Sequence, residues 1–126
     1  MKTSSESFGI IIMIFKMLWA FRRTSRGKKF GNEIADSMAI SRSLFHTAIE
    51  EGGLGMHLVM LASLKDQGAS VIEARDICLP ILANGILLLE KRLGSLDVIC
   101  KAKPIILDLL EEIQSKEKDE STLTNS

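Results

Sequence analysis

The sequence predicts an all-α protein, a small bundle of about four helices with an extra apolar helix at its N-terminus. Two observations predict this fold class. Apolar residues recur at intervals of three and four through residues 30–115, which is the spacing of one face of a helix. No stretch of the chain sustains the alternation of apolar and polar residues that indicates a strand. A chain of 126 residues, of which 46% are hydrophobic, is long and apolar enough to form one folded domain.

The first predicted element is an apolar helix over residues 8–21, in which Lys16 is the one charged residue. At 1.5 Å per residue this helix is about 21 Å long, shorter than the ~30 Å hydrocarbon core of a bilayer. Three interpretations stay open: a helix that packs on protein or dimerises, an anchor at or across a membrane, and a secretion signal. The signal fits least well, because the basic residues follow the apolar run and no small-x-small cleavage site is present.

Charge is divided unevenly along the chain. Residues 1–29 hold seven basic residues and one acidic residue, whereas residues 30–126 hold nine basic and fifteen acidic residues. A basic segment of this kind predicts contact with an anionic surface, either a membrane or the phosphates of nucleic acid. Nucleic acid is the less suitable partner, because the body is acidic and aromatic residues for base stacking are few. The residues predicted to make this contact are Trp19, Arg22, Arg23, Arg26, Lys28 and Lys29.

A loop is predicted at residues 23–32, where two glycines and four basic residues accompany small polar residues. It divides the chain into an apolar helix with a basic linker (residues 1–29) and a helical bundle domain (residues 30–115). The last residues, 116–126, are mostly polar and are predicted to form a disordered tail.

The body is predicted to begin with a helix that Asn32 caps. Glycine is costly inside a helix, so the sequence EEGGLG at residues 50–55 should interrupt or kink it. A second helix, apolar on almost all sides, should occupy residues 56–68 and end at Gly68. The residues of the first helix that are expected in the core are Ile34, Met38, Phe45 and Ile49.

The third helix of the body has the clearest predicted boundaries. Ser70 can cap it and Glu73 completes a capping box, so the helix should run from about residue 71 to residue 93 and stop at Gly94. Pro80 lies inside this segment and predicts a kink or a break, because proline removes a backbone donor and clashes with the preceding turn.

The last predicted helix follows Ser95, which can cap it. Pro104 should split this helix for the same reason that Pro80 should break the one before it. Two pairs of opposite charge stand in the favourable i,i+4 order and support the helix: Asp97 with Lys101, and Glu112 with Lys116.

No complete catalytic, cofactor or metal site is predicted, and we do not expect the protein to be an enzyme. His46 and His57 are eleven residues apart, about 16 Å along one helix, so they cannot share a metal unless the intervening glycines fold the chain back. Neither histidine has further ligands at zinc-like spacing. Cys78 and Cys100 stand in apolar surroundings and are predicted to be buried thiols in a reducing cytoplasm.

The body carries more apolar helix surface than one domain of its size can cover, which predicts a homodimer or a protein partner. We therefore expect a small non-enzymatic regulatory protein that binds another protein, such as an inhibitor of a transcription factor or an enzyme, in the cytoplasm. The alternative is a membrane-associated cytoplasmic protein, of the immunity or exclusion type, anchored by residues 8–21. The residues predicted at the partner or dimer interface are Leu87, Leu88, Leu89, Met56 and Met60.

Overall fold

The computed structural model describes residues 3–53 and 55–124, with side chains for residues 7–53 and 55–119. The described residues contain no strand, and their helices pack against one another, so the predicted all-α bundle is confirmed. The five helices are α1 (Thr3–Ser37), α2 (Arg42–Gly52), α3 (His57–Asp66), α4 (Val71–Leu93) and α5 (Asp97–Thr124).

The central helix of the bundle is α4. Helix α2 packs along one side of α4 and α5 along another, while α1 packs chiefly along α3. The side chains of α4 that face inward are spaced by three and four residues, as the apolar pattern predicts. The largest fully buried side chains come from all five helices and are Phe30, Ile34, Phe45, Ile49, Leu61, Leu79, Leu82, Ile86, Leu89, Ile99 and Ile106.

The loop predicted at residues 23–32 is wrong, because this segment is part of the uninterrupted helix α1. Gly27 and Gly31 lie one turn apart on the same face of that helix. A side chain at Gly27 would collide with the backbone carbonyl of Leu58, and one at Gly31 would collide with the imidazole of His46. The two glycines therefore allow α3 and α2 to lie close to α1, and this packing offsets their helix-propensity cost of about 1 kcal/mol each.

The helix predicted to start at Asn32 is divided in the structure. Asn32 lies inside α1, which ends at Ser37, and Ala39 turns the chain with a positive φ of 56°. Helix α2 then starts after Ser41, whose hydroxyl oxygen accepts a hydrogen bond from the backbone N–H of Leu44 at 3.3 Å. The residues predicted to be buried are buried as expected: Ile34, Met38, Phe45 and Ile49.

The predicted ends of α3 and α4 are confirmed. The backbone N–H of Glu73 donates to the Ser70 hydroxyl at 3.1 Å, and the backbone N–H of Ser70 donates to the Glu73 carboxylate at 3.3 Å. Gly68 and Gly94 have φ of +85° and +82°, which an L side chain rarely adopts, and they end the turns that follow α3 and α4.

Neither internal proline interrupts its helix. Helix α4 continues through Pro80 and α5 continues through Pro104, so the predicted split of the last helix is wrong. Pro80 is exposed, and its neighbours Cys78, Leu79 and Leu82 are buried. The apolar contacts of the flanking turns hold the helix together in spite of the missing backbone hydrogen bond.

Helix α5 differs from its prediction at both ends. It begins at Asp97, so Leu96 and not Ser95 precedes its first turn. It then continues to Thr124, through most of the segment 116–126 that is predicted to be a disordered tail. The two predicted i,i+4 ion pairs are present, at 3.1 Å for Lys101 with Asp97 and 3.8 Å for Lys116 with Glu112.

Candidate binding surface

The N-terminal half of α1 forms an apolar surface outside the bundle. Every side chain from residue 7 to residue 22 is exposed, and we call this part of the helix the stem. Its apolar area is on the order of 1,000 Å², more than the largest apolar patch of about 300–600 Å² on a typical monomer. The large hydrophobic side chains of the stem, each 40–70% exposed, are Phe8, Ile10, Ile11, Ile12, Met13, Ile14, Phe15, Met17, Leu18, Trp19 and Phe21.

These side chains surround most of the stem. At 100° per residue, Gly9, Lys16 and Ala20 share the one strip of the circumference that holds no large apolar group. Among the residues that the structure describes, no helix is long and apolar enough to cross a membrane.

The basic residues beside the stem divide into two groups. Arg22, Lys28 and Lys29 are exposed, and Lys28 also lines the polar pocket that contains His46 and His57. Arg26 forms an ion pair with Asp66 at 3.1 Å, and Arg23 donates from a terminal nitrogen to the Ser63 hydroxyl at 3.0 Å. Both Asp66 and Ser63 belong to α3, so two of the six predicted contact residues attach α1 to the bundle.

An apolar groove runs from the stem across the start of α3, and we call it the Met56 groove. Its first part, of about 530 Å³, is lined by Phe15, Lys16, Trp19, Ala20, Arg23, Thr24, Met56 and Val59. Its second part, of about 400 Å³, is lined by Ile49, Gly52, Gly53, Met56, His57, Met60 and Ile81. Met56, which is 66% exposed, lines both parts, which therefore lie side by side.

The predicted interface residues fall in three different places. Met56 and Met60 line the Met56 groove, whereas Leu87 and Leu88 lie half-exposed on the outer side of α4. Leu89 is 1% exposed and is unavailable to a partner, so this part of the prediction is wrong. The reason is helical geometry, because Leu89 shares the buried stripe of α4 with core residues three and seven positions before it.

The turn between α2 and α3 brings the two histidines together. His46 Nδ1 lies 3.2 Å from His57 Nε2, and His46 Nε2 lies 3.0 Å from the Asn32 Oδ1 atom. The separation of about 16 Å expected for one continuous helix does not apply, because α2 ends at Gly52 and the chain folds back, which is the exception that the sequence analysis allowed. Asn32, His46 and His57 form a hydrogen-bonded chain that joins α1, α2 and α3, and we call it the histidine chain.

The Asn32 end of the histidine chain determines which atom donates in each hydrogen bond. The Asn32 Oδ1 atom only accepts, so His46 donates from Nε2–H. A neutral imidazole with a proton on Nε2 presents a lone pair at Nδ1, and His57 must then donate its Nε2–H to it. This arrangement uses both histidines in their neutral form.

The surroundings favour that neutral form. Partial burial lowers the pKa of His46, and the nearby charges of His57 and Lys28 lower it further. Partial burial also lowers the pKa of His57, although the carboxylate of Glu50 acts in the opposite direction. Both imidazoles therefore bind a proton less readily than they do in an unfolded chain.

Metal or thiol chemistry has little structural basis in the described part of the chain. No three His, Cys, Asp or Glu side chains there converge as a metal site would require. Cys78 is buried, and burial raises the pKa of its thiol to about 12, so it stays protonated. Cys100 is exposed, which corrects the prediction that both thiols are buried.

Comparisons with protein-family models, with curated proteins and with solved structures give no match. The stem, the Met56 groove and the histidine chain are therefore the features on which a function can be argued.

The sequence did not predict that the stem forms one side of the Met56 groove. It also did not predict the histidine chain. Trp19 and Ala20 contribute to the groove only because α3 lies beside them. The available signal was the spacing of Gly27 and Gly31, since two glycines four residues apart on a helix mark a face that another backbone can approach.

Proposed function

We propose that the protein is a non-enzymatic regulatory protein that captures another protein in the Met56 groove. The observation that supports this proposal is the pair of neighbouring apolar pockets that share Met56, one reaching Trp19 and the other Ile81. Methionine side chains adapt to the shape of a bound surface, and Met56 stands exposed at the centre of this one. Capture of a single helix is sufficient to mask the working surface of a transcription factor or an enzyme.

The charge at the edge of the groove defines the kind of partner that fits it. Lys16 and Arg23 line the first part of the Met56 groove on its α1 side. Arg22, which precedes Arg23 in the sequence, is exposed. The best occupant is an amphipathic helix that lays its apolar face in the groove and carries acidic residues on the flank nearest the stem. These cations also accelerate the encounter with an acidic partner.

Site-specific photo-crosslinking in the native host tests this proposal. A photoreactive amino acid at Met56 should give adducts with one discrete protein, because this position is at the centre of the groove. The matched control is Ile72, an exposed apolar residue on α4 outside the groove, which should not give that adduct. The same adducts from both positions, or no protein adduct from Met56, would overturn the proposal.

The protein identified in this way then allows a binding measurement. Met56→Asp places a charge on the apolar floor and should weaken binding at least about tenfold, which corresponds to about 1.4 kcal/mol. Ile72→Asp makes the same chemical change on another surface and should leave the affinity within about twofold. Equal effects of the two substitutions would show that the groove is not the contact.

A second candidate function is attachment to a membrane surface, and the stem favours it. A neighbouring protein helix covers one side of a helix, whereas lipid covers every side, and the apolar groups of the stem lie on most sides. The exposed Arg22, Lys28 and Lys29 would then meet anionic headgroups. In this alternative the stem anchors the protein to the inner face of a membrane.

The fluorescence of Trp19, which is the single tryptophan of the chain, reports this attachment directly. If the stem enters lipid, vesicles with anionic headgroups should shift its emission to the blue, and neutral vesicles should have a smaller effect. Arg22→Gln combined with Lys29→Gln should reduce the difference between the two vesicle types. Emission that stays unchanged with both vesicle types would contradict membrane attachment.

A further inference from the structure

We infer that the histidine chain is a proton-operated latch on the Met56 groove: protonation of the His46–His57 pair releases the first turn of α3 from α1 and α2. This inference concerns how binding in the Met56 groove is regulated. Its biological role rests on the proposed function. The release itself is a structural event that is measured without any partner.

The position of His57 connects the latch to the groove. His57 is the first residue of α3 and directly follows Met56. It lines the second part of the Met56 groove and also a polar pocket on the other side, next to Lys28 and Arg42. Met56 occupies the N-cap position of α3 and makes no side-chain cap hydrogen bond, so the bond from His57 to His46 adds a side-chain restraint to the packing of Leu58 on Gly27 at this helix end.

Proton binding changes the histidine chain in two steps. The first added proton binds His57 Nδ1, and the cationic ring still donates its Nε2–H to His46 Nδ1, so the bond between the rings remains. A second proton puts N–H groups on both nitrogens, so two donors and two positive charges face each other across 3.2 Å. The rings then repel each other, and because His57 is the first residue of α3, the repulsion acts on the start of this helix.

The charged groups around the pair decide how easily it is protonated. Lys28 faces it from α1, and Arg42 and Glu50 face it from α2, while α3 contributes His57 itself. Arg42 is held by Asp36 through two hydrogen bonds of 2.9 Å and 2.6 Å, which neutralises much of its charge. Lys28 and the carboxylate of Glu50 therefore act in opposite directions on the pair.

Nuclear magnetic resonance of the full chain tests the latch. As the pH falls below about 6.5, the methyl signal of Met56 should shift with the midpoint of the second imidazole protonation, which is the step that places two donors face to face. The protection of the Met60 amide, which donates to the Met56 carbonyl at 3.1 Å, should fall at least about tenfold at the lower pH after intrinsic exchange is divided out, because this helix end opens locally. The methyl signal of Met38, which is 5% exposed in the core, is the internal control and should stay in place.

His57→Gln is the decisive variant. Its side-chain amide donates to His46 Nδ1 when His46 is neutral and can rotate to accept when His46 is protonated, so the bond persists at both pH values. In this variant the Met56 signal and the protection of the Met60 amide should no longer respond to pH.

Three results would overturn the latch. The first is an equal pH response of the Met56 signal in His57→Gln and in the natural protein. The second is a simultaneous shift of the Met38 signal, which would indicate global unfolding. The third is titration of both imidazoles at the ordinary value without any change at Met56. A failure of the proposed function gives a different result, because photo-adducts at Met56 would then be absent at every pH. The resonance measurement would still test the latch by itself.

Discussion

At Gly85 the backbone of α4 lies directly against the backbone of α2. A side chain there would collide with the backbone carbonyl of Ala48. Neither helix can move away from this collision without shifting the packed core. Gly85→Ala should therefore lower the free energy of unfolding by about 1–3 kcal/mol, although alanine favours helix more than glycine does. Urea denaturation measures this change.

Gly9→Ala is the matched control for that substitution, because Gly9 also lies within a helix and nothing surrounds its position within 4 Å. It should leave the free energy of unfolding of the bundle within about 0.5 kcal/mol. Equal behaviour of the two variants would mean that α2 and α4 do not approach as closely as the structure shows.

The neutral histidines make stability depend on pH with a definite sign. In the unfolded chain both imidazoles titrate at about 6.5, whereas in the folded chain the pKa of each is lowered, chiefly by burial. The unfolded state therefore binds more protons below the unfolded value. The stabilisation is complete above that value and is lost as the pH falls through the folded pKa values.

Denaturation of the natural protein and His57→Gln at a series of pH values checks this dependence. The free energy of unfolding should fall less steeply for the variant, because one of the two groups no longer titrates. A steeper fall for the variant would show that His57 binds its proton more tightly in the folded state than in the unfolded chain.

At the scale of single residues, the sequence identified the core but not the histidine chain. Phe45 and Ile49 were predictable because a buried stripe follows from helical spacing alone. The contact between His46 and His57 depends on the direction in which the turn at residues 52–56 sends α3, and no local pattern contains that direction.

Helix α4 offers a sharp test at two adjacent positions. Leu88 is 40% exposed and Leu89 is 1% exposed, so an arginine at the two positions meets opposite surroundings. Leu89→Arg buries an unpaired charge and should lower the free energy of unfolding by about 3–5 kcal/mol. Leu88→Arg should leave the helical circular-dichroism signal and the denaturation midpoint close to those of the natural protein.

The same pair of variants tests the expected homodimer. If the outer side of α4 pairs two copies of the chain, Leu88→Arg should reduce the sedimenting mass to that of one chain while the helices remain. A natural protein that sediments as a single chain at high concentration would rule out this dimer.

At the scale of helices, the sequence correctly predicted features that depend only on neighbouring residues at one helix end. The capping box of Ser70 and Glu73 involves neighbouring residues only, and it is present as predicted. The loop predicted at residues 23–32 failed because the effect of a glycine depends on what lies beside it. Gly27 favours a loop when its helix is solvated, and it favours close packing when Leu58 lies against it.

At the scale of the whole molecule, the contacts of residues 23–27 with α3 bear on where the independently folding part of the chain begins, which two truncated chains can test. Removal of residues 1–22 takes away the stem alone and should leave a cooperatively unfolding bundle. Removal of residues 1–29 also takes away the contacts of Arg23, Arg26 and Gly27 with α3, and should lower the unfolding midpoint clearly. Thermal circular dichroism of the two truncated chains separates these expectations.

Equal unfolding midpoints for the two truncated chains would restore the boundary at residue 29 that the sequence predicts. Loss of cooperative unfolding on removal of residues 1–22 would instead show that the stem contributes to the stability of the bundle, against its complete exposure in the structure.

The exposure of the stem has a consequence for the life of the protein in the cell. A chain that displays Phe8, Trp19 and Phe21 in water looks to chaperones and proteases like a chain that has failed to fold, even when its bundle is complete. We expect its survival after synthesis to depend on whether another surface covers the stem. The amount of the protein should accordingly follow the supply of that surface and not the rate of its own production.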